Sequence, residues 1–248
     1  MGSLRYGCIG LTLSLALGCA SEPLDAQNGG DGSGGTSSQP PPVYMGACSA
    51  ALRQELGLVD ARSEAAVQVL GSSGSELQVY VDASAGGFDS QDMSPWVYLS
   101  LATGARVDVG DMEALESADW DIAFKRFVLR NNSGDSGPGQ GDAQRAALPF
   151  DTVNLETLGD RELPTESWFD DDCNLTEDDS GAPVTTFSGW SEYDQAQHVL
   201  TPAPDVTYLV SGGSGELYKV AILDYYATPD GASGTVAGRY LLRVAPLE

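Results

Sequence analysis

The chain has 248 residues, 12 Lys+Arg against 36 Asp+Glu and a formal net charge of −24 at pH 7. Charge of that sign and size excludes nucleic acid as a partner, since phosphate binding requires cations that displace counterions, and it argues against electrostatic docking on anionic lipid. With 42% hydrophobic residues the chain is long enough to bury a core of its own, even when its first 43 residues are set aside.

Those first residues read as an address and a tether. Arg5 is the sole charge in residues 1–18, and Cys8–Leu17 is an uncharged run, too short to span a bilayer but suited to the apolar centre of a signal peptide. The run ends at Ala16-Leu17-Gly18-Cys19, which resembles the lipobox of bacterial lipoproteins, with Ala16 where leucine is usual. That resemblance implies cleavage after residue 18 and acylation of Cys19, palmitate included. An ordinary signal peptide whose cleavage site happens to precede a cysteine is the alternative. Residues 19–43 would then carry the lipid and a flexible spacer, Gly/Ser-rich and stiffening into Pro40-Pro41-Pro42. Two or three acyl chains hold a protein on a membrane where one does not. The expectation is an exported, lipid-anchored protein of the cell envelope, at the outer membrane. Cleavage removes Arg5 and leaves 11 Lys+Arg against 36 Asp+Glu, a mature charge of −25.

Of the four cysteines, Cys8 leaves with the leader and Cys19 takes the lipid, so Cys48 and Cys173 remain. In an oxidising compartment such a pair is most simply a disulfide, with two free thiols or a metal site as alternatives. Neither lies in a C-x-x-C arrangement and the chain has one histidine, which speaks against zinc.

The folded domain is placed at residues 44–248. Residues 48–57 read as a short helix ending at Gly57. Residues 76–82 alternate, with Leu77, Val79 and Val81 on one face, and predict a strand. Residues 96–109 predict two strands joined at Thr103-Gly104, and 111–116 a helical turn capped by Asp111. Residues 119–130 predict a strand with Trp120, Ile122 and Phe124 on one side. Further strands are expected at 150–155, 205–211, 216–226 and 238–245, with long loops at 131–149 and 159–183. The fold class is all-β with minor short helices: a single antiparallel β-rich domain.

Several motifs suggest chemistry, each with a plainer reading. Gly134-Asp135-Ser136-Gly137-Pro138 looks like the segment around a protease nucleophile, but the only histidine, His198, follows it where a protease's base precedes it. Gly137-x-Gly139-x-Gly141 follows a strand without a βαβ unit behind it. The acidic run Asp170-Asp171-Asp172 to Asp179 lacks the glycine and glutamate of an EF-hand and reads as a solvated loop, with calcium held by its hard oxygens as the alternative. No acid–base pair or nucleophile constellation is legible, so the chain is not read as an enzyme. No metal site is legible either.

Three ordered stretches carry a family resemblance. They are Trp120-Asp121-Ile122-Ala123-Phe124 continuing into Asn131-Asn132-Ser133-Gly134, then Tyr218-Lys219-Val220 to Tyr225-Tyr226, then Gly231-Ala232-Ser233-Gly234 with Arg239-Tyr240. Together, over roughly residues 96–245, they resemble the HmuY-like haem-binding lipoproteins. The resemblance implies that family's β fold and, as cofactor, haem, captured at the cell surface for scavenging or for transfer to an outer-membrane haem transporter. Its members hold iron through axial pairs of histidines or methionines. A histidine pair is impossible here, so the ligand candidates are His198, Met93 and Met112, with Met45 as a further methionine. The alternative is a non-catalytic surface binding or structural lipoprotein that kept the fold and lost haem ligation.

Overall fold

The structure, a computed structural model, describes residues 48–248 except 161 and 180. The leader, Cys19, the tether to residue 43 and Met45 lie outside the described residues. In chain order the strands are β1 (Val67–Ser73), β2 (Glu76–Asp82), β3 (Val97–Ser100), β4 (Ala105–Arg106), β5 (Ile122–Lys125) and β6 (Val128–Asn131). They continue as β7 (Ala143–Ala146), β8 (Ser191–Asp194), β9 (Val199–Pro202), β10 (Thr207–Ser211), β11 (Leu217–Asp224) and β12 (Arg239–Pro246). The helices are short: α1 (Ser49–Glu55), α2 (Asp111–Ala114) and α3 (Leu155–Leu158). The all-β expectation therefore holds.

Alternation builds the larger sheet, ordered β1-β2-β12-β11-β10-β7 with every pairing antiparallel. Val79 stands opposite Leu242, and Leu242 opposite Ile222, so one row of aliphatic side chains crosses three strands. The smaller sheet, β4-β3-β5-β6, turns Leu99, Ile122 and Phe124 into the same hydrophobic cluster. A second cluster lies on the far side of the small sheet. There Trp96, Tyr98, Trp120 and Ala123 are covered by α1 through Leu52 and Leu56, and by Trp168 and Phe169. A disulfide from Cys48 to Cys173, residues 125 apart in sequence, ties the start of α1 to this cover. The hairpin β8–β9 forms a separate two-stranded sheet.

Five expectations are corrected. The stretch 119–130 is not one strand but the hairpin β5–β6, turned at Arg126-Phe127. Arg126 adopts φ +53°, which an Arg does not favour. It is held there by distant groups: its amide donates to Ala83 O, and its carbonyl accepts the Tyr240 hydroxyl at 2.6 Å. Trp120 does not share a face with Ile122 and Phe124; its ring packs in the second cluster and its Nε1 donates to Ala114 O. Asp111 does not cap its helix, since Gly110 stands at that position and its N–H is taken by Glu113. Residues 150–155 are not a strand: a single 3₁₀ turn at Phe150–Thr152 leads into α3, whose start is closed by reciprocal Asn154 and Thr157 bonds. An Asn-x-x-Thr capping arrangement outweighs two apolar residues in alternation. Part of the loop expected at 131–149 is also the edge strand β7.

Candidate functional site

The tight turn at Arg126-Phe127 brings Phe127, Val128 and Leu129 to the edge of the small sheet, and a cleft of about 480 Å³ opens against them. Its other wall comes from residues 181–190, Tyr193 on β8 and Leu200 on β9. The wall is anchored from behind. Trp190 Nε1 donates to Phe127 O at 3.0 Å, and the Trp190 ring packs on Tyr225 and Tyr240. Tyr208 donates its hydroxyl to Phe187 O at 2.7 Å while its ring lies against that of Phe187.

Glu166 pins the same wall to β6. Its carboxylate accepts from the amides of Asn131 and Thr186 and from the Thr186 hydroxyl. Burial pushes its carboxyl up to about 7, against the opposing pull of these donors and of Arg130. Neither Glu166 nor Arg130 was singled out in the sequence; the one legible sign was a charged residue inside an apolar strand at Arg130. Arg130 is fully buried, with its guanidinium 4.8 Å from the Trp96 ring, 5.1 Å from Trp120 and 5.6 Å from Tyr98. It donates to the Tyr98 hydroxyl and to Ser136 O, while its Nε has no partner. Asp111 closes the network, accepting from the Val59 and Trp96 amides and from the Tyr98 hydroxyl. A smaller cleft of about 150 Å³ borders this cluster at Trp96, Lys125 and Trp168. Lys125 donates there to Gly57 O, and burial lowers its ammonium pKa.

The motif residues prove structural. Ser136 is buried and its Oγ accepts from Trp168 Nε1 at 2.7 Å. The Gly137, Gly139 and Gly141 run wraps Asn132: a Cβ on Gly137 would lie 2.3 Å from Asn132 Oδ1, and one on Gly139 2.5 Å from Asn132 O. Gly139 donates its amide to that Oδ1, so the run clasps a side chain and not a phosphate. Asp170 spends its carboxylate on the Asp172 and Asn174 amides of its own turn. Among the described residues no group of three or more His, Cys, Asp or Glu is placed to hold a metal ion, and no helix is long and apolar enough to cross a membrane.

The three ligand candidates fall on different elements. Met93 ends the 3₁₀ segment Phe88–Met93 and is largely exposed. Met112 is half-buried in α2, packed on the second cluster. Neither lines either cleft. His198 sits in the turn of the β8–β9 hairpin, with Nδ1 2.7 Å from the hydroxyl of Tyr193, a residue of the larger cleft. At Gly189, on the rim of that cleft, Arg145 donates Nε to the carbonyl; its two terminal nitrogens have no partner among the described residues.

The sequence pattern of the family described as HmuY protein matches residues 92–240, a span that holds both the Arg130 cluster and the larger cleft. No curated protein matches the chain. Among solved structures it is similar to a protein of Bacteroides fragilis described as a lipoprotein, at 17% identity over 73% of this chain and 96% of that one, with a TM-score of 0.44. It is also similar to a protein of Bacteroides vulgatus described as an HmuY-like haem-binding protein, at 19% identity over 70% and 93% of the two chains, TM-score 0.42. A third is the apo HmuY analogue of Tannerella forsythia, at 14% identity over 75% and 100%, TM-score 0.42.

Proposed function

This chain belongs to the HmuY protein family, and from that premise we propose that its larger cleft holds haem. The observation that carries the reading is the cleft itself: about 480 Å³, walled by Phe127, Phe187, Trp190 and Tyr193. That volume falls in the range of small-molecule sites, and an aromatic wall suits a flat macrocycle. The residues present fit the group on two further counts. Tyr193 brings a protic oxygen to one wall with the His198 imidazole bonded to it, and Arg145, whose Nε donates to Gly189 O at the rim, offers a guanidinium for a carboxylate there. Bound there, haem would be cargo held for scavenging or for transfer to an outer-membrane transporter. Of the ligand candidates, His198 is the one that touches a residue of this cleft, Tyr193.

The envelope address is part of the same proposal. Residues 1–18 are the lipoprotein leader, Cys19 the acylated residue, residues 19–43 the tether, and residues 44–248 the domain carried beyond it. Mass spectrometry of the mature amino terminus tests this: an acylated Cys19 supports it, and an intact Met1 or a start elsewhere refutes it. Hemin titration tests the cleft. A saturating Soret band at one equivalent is the expected result, and a flat spectrum refutes the haem reading. A second reading, a surface module that kept the fold without haem ligation, is favoured by the absence of methionine and histidine side chains from the cleft wall among the described residues. Under it the aromatic face docks a protein or glycan and hemin leaves the spectrum unchanged.

A further inference from the structure

Resting on the reading that the larger cleft holds haem, we infer that Tyr193 binds the iron as a phenolate and that His198 is the base that takes its proton.

The hairpin is built to make this pair. Tyr193 lies on β8, opposite Leu200 on β9, and His198 closes the four-residue connection between them. The turn is held by Asp194, whose carboxylate accepts from the Ala196 and Gln197 amides and from the Gln197 side chain. His198 closes it at φ +56°, a conformation suited to Gly or Asn. Glycine or asparagine would serve the turn as well, but neither would place a basic ring nitrogen 2.7 Å from the Tyr193 hydroxyl. Leu200 is fixed in turn by its amide, which donates to the Tyr226 hydroxyl. The pair therefore stands on a braced hairpin.

Tyr193 is also the cleft-side tyrosine whose hydroxyl is not committed to the backbone. Tyr208 donates to Phe187 O and Ser188 O, Tyr240 donates to Arg126 O, and Tyr226 accepts from Leu200. Tyr193 lines the cleft, is 55% exposed, and among the described residues its hydroxyl bonds only the imidazole. Phenolate oxygen is one of the axial ligands haem iron takes in proteins, and a hard anionic oxygen suits the ferric ion. In the tautomer protonated at Nε2, His198 accepts at Nδ1. Tyr193 would hold the iron through its hydroxyl oxygen, with the proton of that hydroxyl passing to the His198 Nδ1 2.7 Å away. No electron changes hands. His198 is thus a positioning residue, acting on the iron only through Tyr193.

The test compares hemin titrations of the mature chain with those of Tyr193→Phe, Tyr193→His and His198→Asn, read by absorption, electron paramagnetic resonance and resonance Raman spectroscopy. Asn is chosen because it keeps the left-handed turn. The wild-type complex is expected to be high-spin ferric, with a phenolate-to-iron charge-transfer band and phenolate ring modes. Tyr193→Phe loses both and binds at least about tenfold more weakly; His198→Asn keeps the band at shifted energy and binds about tenfold more weakly. Tyr193→His, the safeguard against a merely disordered hairpin, exchanges the phenolate signature for that of an imidazole. A wild-type complex lacking the phenolate signature, or a Tyr193→Phe spectrum matching wild type, overturns the inference and leaves the haem reading standing. Loss of binding in His198→Asn alone makes the imidazole the ligand and overturns it too. Failure of the wild type to take up hemin sinks the haem reading and this inference with it.

Discussion

Two aromatic clusters meet the hairpin β5–β6, and they end differently. In one, Trp96, Tyr98 and Trp120 surround the buried guanidinium of Arg130, and α1, α2 and Trp168 cover it from outside. In the other, Phe127, Phe187, Trp190 and Tyr193 leave a cleft of about 480 Å³ between them. Residue type does not separate the two. The first is filled from inside by a planar cation, which rings attract face-on and whose hydrogen-bonding geometry closes the gap. In the second, the anchoring bonds run outward from the rings to backbone carbonyls, Trp190 to Phe127 and Tyr208 to Phe187, so the rings are held apart and no side chain of the described residues fills the space. One side chain, placed or not placed at the centre, decides between core and site.

The largest effect is expected from emptying the closed cluster. Arg130→Ala leaves Asp111 and the Tyr98 hydroxyl without their cation and should cost about 3–5 kcal/mol in urea unfolding. A loss under about 1 kcal/mol would show that the guanidinium does not hold the cluster shut. Next is the disulfide over the same side: with Cys48 and Cys173 both changed to Ser, a constraint between residues 125 apart is released, worth about 2–5 kcal/mol. Hemin affinity of the surviving folded protein should be unchanged, since the bond does not touch the open cleft; a parallel loss of affinity would mean the two regions are not separable.

Glu166, which joins the two regions, supplies a pH effect. Its ordinary value is 4.5, and in the folded protein burial raises it to about 7. Between those values the folded state holds a proton that the unfolded chain has released, so stability falls as pH rises across the window, by roughly 3 kcal/mol from this group. Glu166→Gln should flatten that slope in thermal melts recorded from pH 4 to 8; an unaltered slope would place the titration elsewhere. Smallest is Arg145→Ala at the open rim, where an exposed charge–carboxylate contact is worth about 0.2–1 kcal/mol. Hemin affinity should fall about two- to fivefold, and no change by fluorescence quenching would remove Arg145 from the site.

Much of the fold was legible because period-two alternation survives wherever one strand face is buried. The segments 76–82, 205–211, 216–226 and 238–245 correspond to β2, β10, β11 and β12 within two residues at each end. The β5–β6 turn was not legible, because Arg126-Phe127 carries no Gly, Asn or Pro and its left-handed backbone is held by contacts from Ala83 and Tyr240. Trp120 went to the other face because its partners, Ala114 and Tyr98, come from different segments. The site was legible only in its parts. His198 stood out as the one histidine, but a lone histidine reveals no partner, and nothing local marks Trp190 or Tyr193 as lining a cleft rather than a core.

From composition and pattern alone came the acidic charge that excludes nucleic acid, the sheet-forming segments and the ordered motifs of the family. These are local properties, set by side-chain chemistry and the two-residue period of a strand. Only the folded arrangement decided which aromatics close on Arg130 and which stay apart, that Asn132 is what the glycine run wraps, and that His198 faces Tyr193. Those outcomes depend on contacts between residues distant in sequence or across a turn, and a linear pattern holds no record of which side chain arrives at a shared center.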